Sequence, residues 1–200
     1  MVGGDHKVAG AFVALALVTV TALSGCANEA VASVKGDFPD VTLAASKSPV
    51  QFLRNDAASR IPTAVIDNVE EAIDESVACF DEVKDPQGLI RSWHSSALVT
   101  VESGSAWRIE SIVDNLIASF TEQEWTARSL GETADFRSSL LTSKGSMAEI
   151  QIIGERPDPD QSTTSTAEVV KQVTVEIQVH GPCVRTEGPK SDDVKKLETP

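Results

Sequence analysis

Val173, Val175, Ile177 and Val179 alternate without a miss with Thr174, Glu176, Gln178 and His180. Period-2 alternation of this kind predicts a strand with one face on a core and one face in water. Such a strand cannot stand alone: its apolar face has to be covered by another layer. The cover is written earlier in the chain. Ile109, Ile112, Val113, Leu116, Ile117 and Phe120 fall at i, i+3, i+4, i+7, i+8 and i+11, one stripe of an amphipathic helix.

Other segments fit the same two layers. Trp93, Ser95, Ala97, Val99 and Val101 alternate with His94, Ser96, Leu98, Thr100 and Glu102, a second strand, and Ser103-Gly104-Ser105 after it offers an N-cap for the helix. Trp125–Leu130, Phe136–Leu140 and Met147–Ile153 predict short polar strands, the last two joined at Lys144-Gly145, where Gly145 is free to take a positive φ. Gly154–Thr166, with Pro157, Pro159 and a Ser/Thr run, predicts a loop. Val50–Phe80 reads as helical in two pieces broken before Pro62, with Val65, Val69, Ile73 and Phe80 on the apolar side of the second. The expectation is an α+β two-layer sandwich, an antiparallel sheet of three to five strands covered by two amphipathic helices.

The first 26 residues belong to none of this. Ala11–Ala22 is apolar and uncharged, shorter than the roughly 20 residues that span a bilayer, and it follows a stretch containing Lys7. It ends in Leu23-Ser24-Gly25-Cys26. The segment resembles a bacterial lipoprotein signal peptide, and those four residues match the lipobox at every position. The resemblance implies a diacylglyceryl group on the Cys26 sulfur and cleavage between Gly25 and Cys26. Ala27 occupies the place where an aspartate signals inner-membrane retention in some two-membrane bacteria. Two acyl chains, at about 0.8 kcal/mol per buried CH₂, hold a protein stably where one does not. The implied address is the cell membrane, lipid-anchored and facing outside the cytoplasm.

The expected organisation is then a cleaved signal peptide over 1–25, a lipidated flexible tether over 26–49, a single α+β domain over 50–187 and a disordered tail over 188–200. With Cys26 lipidated, two of the three cysteines remain, Cys79 and Cys183. An even remainder in an exported protein predicts one disulfide between them.

Charge narrows the partners. Removing residues 1–25 takes away Lys7 and Asp5 together, so the mature chain keeps the net charge of −13. Such a chain is repelled by phosphate backbones and anionic headgroups, which argues against nucleic acid and leaves the lipid as the membrane contact.

Chemistry-bearing residues are sparse. His94 and His180 are the histidines left after the leader, both on outward strand faces. Were their strands neighbours, the two could meet beside Glu102 or Glu176, but the spacing is not that of a metal motif, and the expectation is no metal and no cofactor. No G-x-S-x-G or phosphate-binding loop occurs, and Ser143-Lys144 is explained by turn chemistry. An enzyme would need a cleft in which His94, His180 or Asp135 meets a serine. The chain has three tryptophans and no tyrosine. Trp93, Trp107 and Trp125 fit core or helix-end packing, or an aromatic recognition patch. The reading is a non-enzymatic binding or interaction module of the cell envelope, partnered by an envelope protein or a small ligand. The alternative is a lipid or small-molecule carrier with an apolar cavity between sheet and helices.

Overall fold

Seven antiparallel strands form one sheet, and the residues that alternate in sequence are those that line its helix-bearing face. The computed structural model describes residues 36–102, 108–156 and 172–199. The expected signal peptide, Cys26, the first part of the expected tether, Ser103-Gly104-Ser105, Trp107 and most of the expected 154–166 loop lie outside the described residues. In chain order the elements are α1 (Leu43–Ser59), β1 (Ile66–Ala78), β2 (Ile90–Val101), α2 (Ile109–Thr121), β3 (Thr126–Glu132), β4 (Phe136–Thr142), β5 (Glu149–Glu155), β6 (Thr174–His180), β7 (Val184–Arg185) and α3 (Asp192–Glu198). The sheet runs β1-β2-β6-β5-β4-β3, and β7 extends the line of β6 along β2. All pairings are antiparallel.

The α+β class stands, with more elements than expected: seven strands and three helices among the described residues. Helix α2 is placed as its stripe predicts, with Ile109, Ile112, Val113, Leu116 and Phe120 buried. Its N-cap is Arg108, which makes no side-chain cap. Trp93, Val99, Ile150, Ile152, Val175, Ile177 and Val179 meet the helices from the sheet and are fully buried. Gly154 of β5 lies directly beneath α2, where a Cβ would stand 2.6 Å from Ile109 and 2.7 Å from Val113.

The segment 50–80 departs from expectation. Its first part is helical, but α1 begins at Leu43, so Leu43–Pro49 belong to the domain and not to the tether. Thr42 caps the helix, its Oγ1 accepting from the Ala45 amide at 3.1 Å. Its second part is strand, not helix. β1 carries two irregularities, at Ile66/Asn68 and Glu71/Ile73, each inserting one extra residue against β2. A bulge shifts the alternation by one, so Val69 and Ile73, four apart, imitate helical spacing while pointing to opposite faces. The positions of β1 beneath α1 are moreover polar. Asp74 accepts from Trp93 Nε1 at 2.9 Å and Gln51 Nε2 at 2.6 Å, and Ser76 accepts from Arg91 Nε at 2.9 Å. Glu71 pairs with the buried Arg54 of α1.

The C-terminal residues also fold. Ser191 caps α3, its Oγ accepting from the Val194 amide at 3.4 Å, and Val194 is buried. Glu198 accepts from Ser76 Oγ at 2.5 Å, and the Leu197 carbonyl accepts from Lys47 Nζ at 2.6 Å. These contacts tie the expected tail to β1 and α1. The β4–β5 link is a turn, Ser146 N bonding to Ser143 O at 3.2 Å, but Gly145 is not among the residues of positive φ.

The expected disulfide is present. Cys79, one residue past β1, joins Cys183 between β6 and β7 with Cα atoms 6.1 Å apart. No helix of the described residues is long and apolar enough to cross a membrane.

Candidate functional site

Helices α1 and α2 pack on the same face of the sheet, against β2 and β6 and against β4 and β5 respectively. The opposite face receives the other half of each alternating strand, and there the titratable residues gather. Reading across four adjacent strands, Glu75 of β1 stands opposite His94 of β2, His94 opposite His180 of β6, and His180 opposite Glu149 of β5. The next row of the same face holds Ser96, Gln178 and Gln151.

The two imidazoles are stacked, with centroids 4.1 Å apart and planes inclined by 22°. His94 is buried and His180 half-buried. Burial, then the charge of His180, pushes the His94 imidazole down to about 4. Burial lowers His180 as well, opposed by the charge of Glu149. Both rings are therefore neutral at pH 7. His94 Nε2 and Ser96 Oγ are inaccessible and have no hydrogen-bond partner. Buried polar atoms are nearly always bonded; the other two such atoms among the described residues are Ser95 Oγ, on the helix-bearing face, and Glu110 Oε2 of α2.

The sequence places both histidines on outward strand faces; the two do share the face opposite the helices, where His94 is nonetheless buried, and the topology brings them together. The expected carboxylate neighbours were the wrong ones. Glu176 accepts from Gln178 Nε2 at 2.9 Å, and Glu102 lies past the far end of β2. Glu75 and Glu149 flank the pair instead. Glu75 was hidden by the helical reading of β1, and the place of Glu149 depends on β5 lying beside β6, which no local pattern shows. Among the described residues no group of three or more His, Cys, Asp or Glu side chains is placed to hold a metal ion as it stands.

The remaining candidates are dispersed. The Trp93 ring is wholly buried under α1, with Lys47 Nζ 4.5 Å from its centroid, so it is a core residue and not part of a recognition surface. Trp125 packs edge-on against Phe120 at 5.5 Å. Asp135 pairs with Arg156 at 3.2 Å near the β3 edge of the sheet, and neither histidine is hydrogen-bonded to a serine among the described residues.

Two clefts are lined by described residues. The larger, about 1010 Å³, lies between the 36–44 segment, the residues after β7 and α3, with Phe38, Val41, Leu43, Val194 and Leu197 as its apolar lining. The smaller, about 260 Å³, lies between α1 and the β4–β5 turn and includes Leu53 and Met147. Both sit at the margins of α1, away from the His94–His180 row.

No protein-family model matches the chain, and no curated protein matches it. Among solved structures the chain is similar to that of the candidate lipoprotein LppA from Mycobacterium tuberculosis, at 13% identity and a TM-score of 0.38, over 80% of this chain and 83% of the other.

Proposed function

We propose that this chain is a lipid-anchored envelope protein whose α+β domain binds a partner outside the cytoplasm and performs no covalent chemistry. The lipobox match over Leu23–Cys26 and the Cys79–Cys183 disulfide, a bond that persists in oxidising compartments, support the address. The observation that carries the binding reading is the sheet face opposite α1 and α2, where the row Glu75, His94, His180 and Glu149 crosses four strands beside Ile73, Leu98 and Ile153. Apolar and polar side chains mixed on one surface suit a macromolecular partner.

The test is site-specific photo-cross-linking in intact cells. A photoreactive residue at Gln151 should give a discrete adduct that one at Glu122, exposed at the end of α2, does not. Equal adducts from both positions would sink the reading. Mass spectrometry of the membrane-extracted protein checks the anchor: the expected N-terminus is a diacylated Cys26, and an unmodified N-terminus overturns it.

The second reading, carriage of a lipid or small molecule, draws on the 1010 Å³ cleft, a volume at the upper end of ligand pockets. The cleft is at the rim and not between sheet and helices, so a carrier would hold its cargo beside the 36–44 segment.

A further inference from the structure

On the face opposite α1 and α2, Glu70 of β1, Leu98 of β2, Glu176 of β6 and Ile153 of β5 stand on directly paired positions. Carboxylate and aliphatic side chain thus alternate across four strands. The row Glu75, His94, His180 and Glu149 crosses the same strands four residues away along β2 and β5, with Ile73 between the two rows on β1. None of the four strands puts a lysine or arginine on this face; Arg91 of β2 points the other way, to Ser76. Elsewhere among the described residues arginines meet carboxylates, as in Arg54–Glu71, Arg60–Asp56, Arg137–Asp114 and Arg156–Asp135. The carboxylates of Glu70, Glu75 and Glu149 are exposed and take no hydrogen bond or ion pair among those residues. On the same face His94 and Ser96, 8% and 0% exposed, leave Nε2 and Oγ without a partner.

The sign of this charge selects the occupant. Nucleic acid and anionic lipid are repelled, and a second copy, itself at net −13, would bring carboxylate to carboxylate. Lysine and arginine fit both halves of the pattern, because their methylene stems lie along apolar surface while the charged heads stay outward. Arginine in addition pairs with carboxylates in bidentate fashion and stacks on aromatic faces.

We propose, resting on the binding reading above, that this face docks a basic segment of another protein. Its arginine and lysine stems lie along Ile73, Leu98 and Ile153, and their heads meet Glu70, Glu75, Glu149 and Glu176. Opposite charge steers the encounter and excludes acidic partners, while the aliphatic side chains, covered only when the segment is seated, supply contact area.

The experiment repeats the Gln151 photo-cross-link in intact cells with the full-length protein in three further forms. Glu75→Lys/Glu149→Lys reverses two carboxylates of the face, Glu75→Gln/Glu149→Gln only neutralises them, and Glu122→Lys/Glu124→Lys reverses two exposed carboxylates at the end of α2. The adduct should fall at least about fivefold on reversal at the face, fall less on neutralisation, and hold in the α2 control. Mass spectrometry of the adduct should find the photoreactive residue joined to a segment of another protein rich in lysine and arginine. Thermal unfolding of each purified variant reports whether it folds, and the glutamine pair decides if the lysine pair does not. Absence of any Gln151 adduct sinks the binding reading and this partner with it. An adduct undiminished in the folded face variants, or joined to an acidic segment or a second copy, overturns the basic partner alone.

Discussion

The indole N–H of Trp93 donates to Asp74 Oδ1 at 2.9 Å, linking β2 to β1 beneath α1. Burial raises the Asp74 carboxyl, but the bonds from Trp93 and Gln51 and the charge of Lys47 outweigh it, and the group is held below its ordinary value. Asp74→Ala leaves a fully buried indole donor unpaired, which costs about 1–3 kcal/mol; Asp74→Asn keeps an acceptor and should cost less. Urea unfolding of the two variants checks the order. A depressed carboxylate pKa means the unfolded chain takes up the proton first. The contribution of Asp74 is therefore complete above the unfolded value near ~3.9 and is lost as pH falls through the folded one.

The Cys79–Cys183 bond closes a loop of 104 residues that includes β2 through β6. In the chain-entropy model, opening a loop of this size costs about 4–5 kcal/mol, comparable with the whole stability of a marginal domain. Reduction, or the double substitution Cys79→Ala/Cys183→Ala, should shift the urea midpoint strongly downward. A midpoint unmoved by dithiothreitol would show that the thiols are not paired in the folded protein.

Gly154 gives a sharper packing test. An added methyl at this β5 position meets Ile109 and Val113 of α2 at 2.6 and 2.7 Å, distances that force one layer away from the other. Overpacking of this kind costs about 1–3 kcal/mol. Gly154→Ala should lower the unfolding midpoint, and Gly154→Ala/Val113→Ala should recover part of the loss. If the single substitution is neutral, α2 does not rest on β5 as described.

How much of this was legible depended on whether burial followed hydrophobicity. For α2 and β6 it did, and their stripes could be read directly; in β2 the alternation of faces was legible, but Arg91, Ser92, His94, Ser95 and Ser96 are buried along with Trp93 and Ala97. For α1 the buried stripe is Leu43, Ser46, Val50, Arg54 and Ala57, in which a serine and an arginine interrupt the apolar signal and hide the helix start. In β1 the buried or bonded positions are Glu71, Asp74 and Ser76, each satisfied by a partner distant in sequence, and two bulges break the alternation. Local pattern cannot report either effect. The histidine row was half visible: each residue showed its face, but their adjacency needed the strand order β2-β6-β5, fixed by long-range pairing.

The histidine pair also predicts how the protein responds to acid. The groups facing it are Glu75 of β1 and Glu149 of β5, and each imidazole faces the other. Burial first, and the neighbouring imidazole second, hold His94 at about 4 in the folded state, against about 6.5 unfolded. Between those values the unfolded chain carries the extra proton, so stability rises with pH. The contribution is complete above about 6.5 and is lost progressively as pH falls toward 4. His180 is displaced the same way, with Glu149 opposing the shift. Thermal midpoints should therefore decline from pH 7 to pH 4.5, and His94→Gln, which cannot take up a proton, should flatten that slope. An unaltered slope in a folded His94→Gln protein would mean that the acid response arises outside the stacked pair.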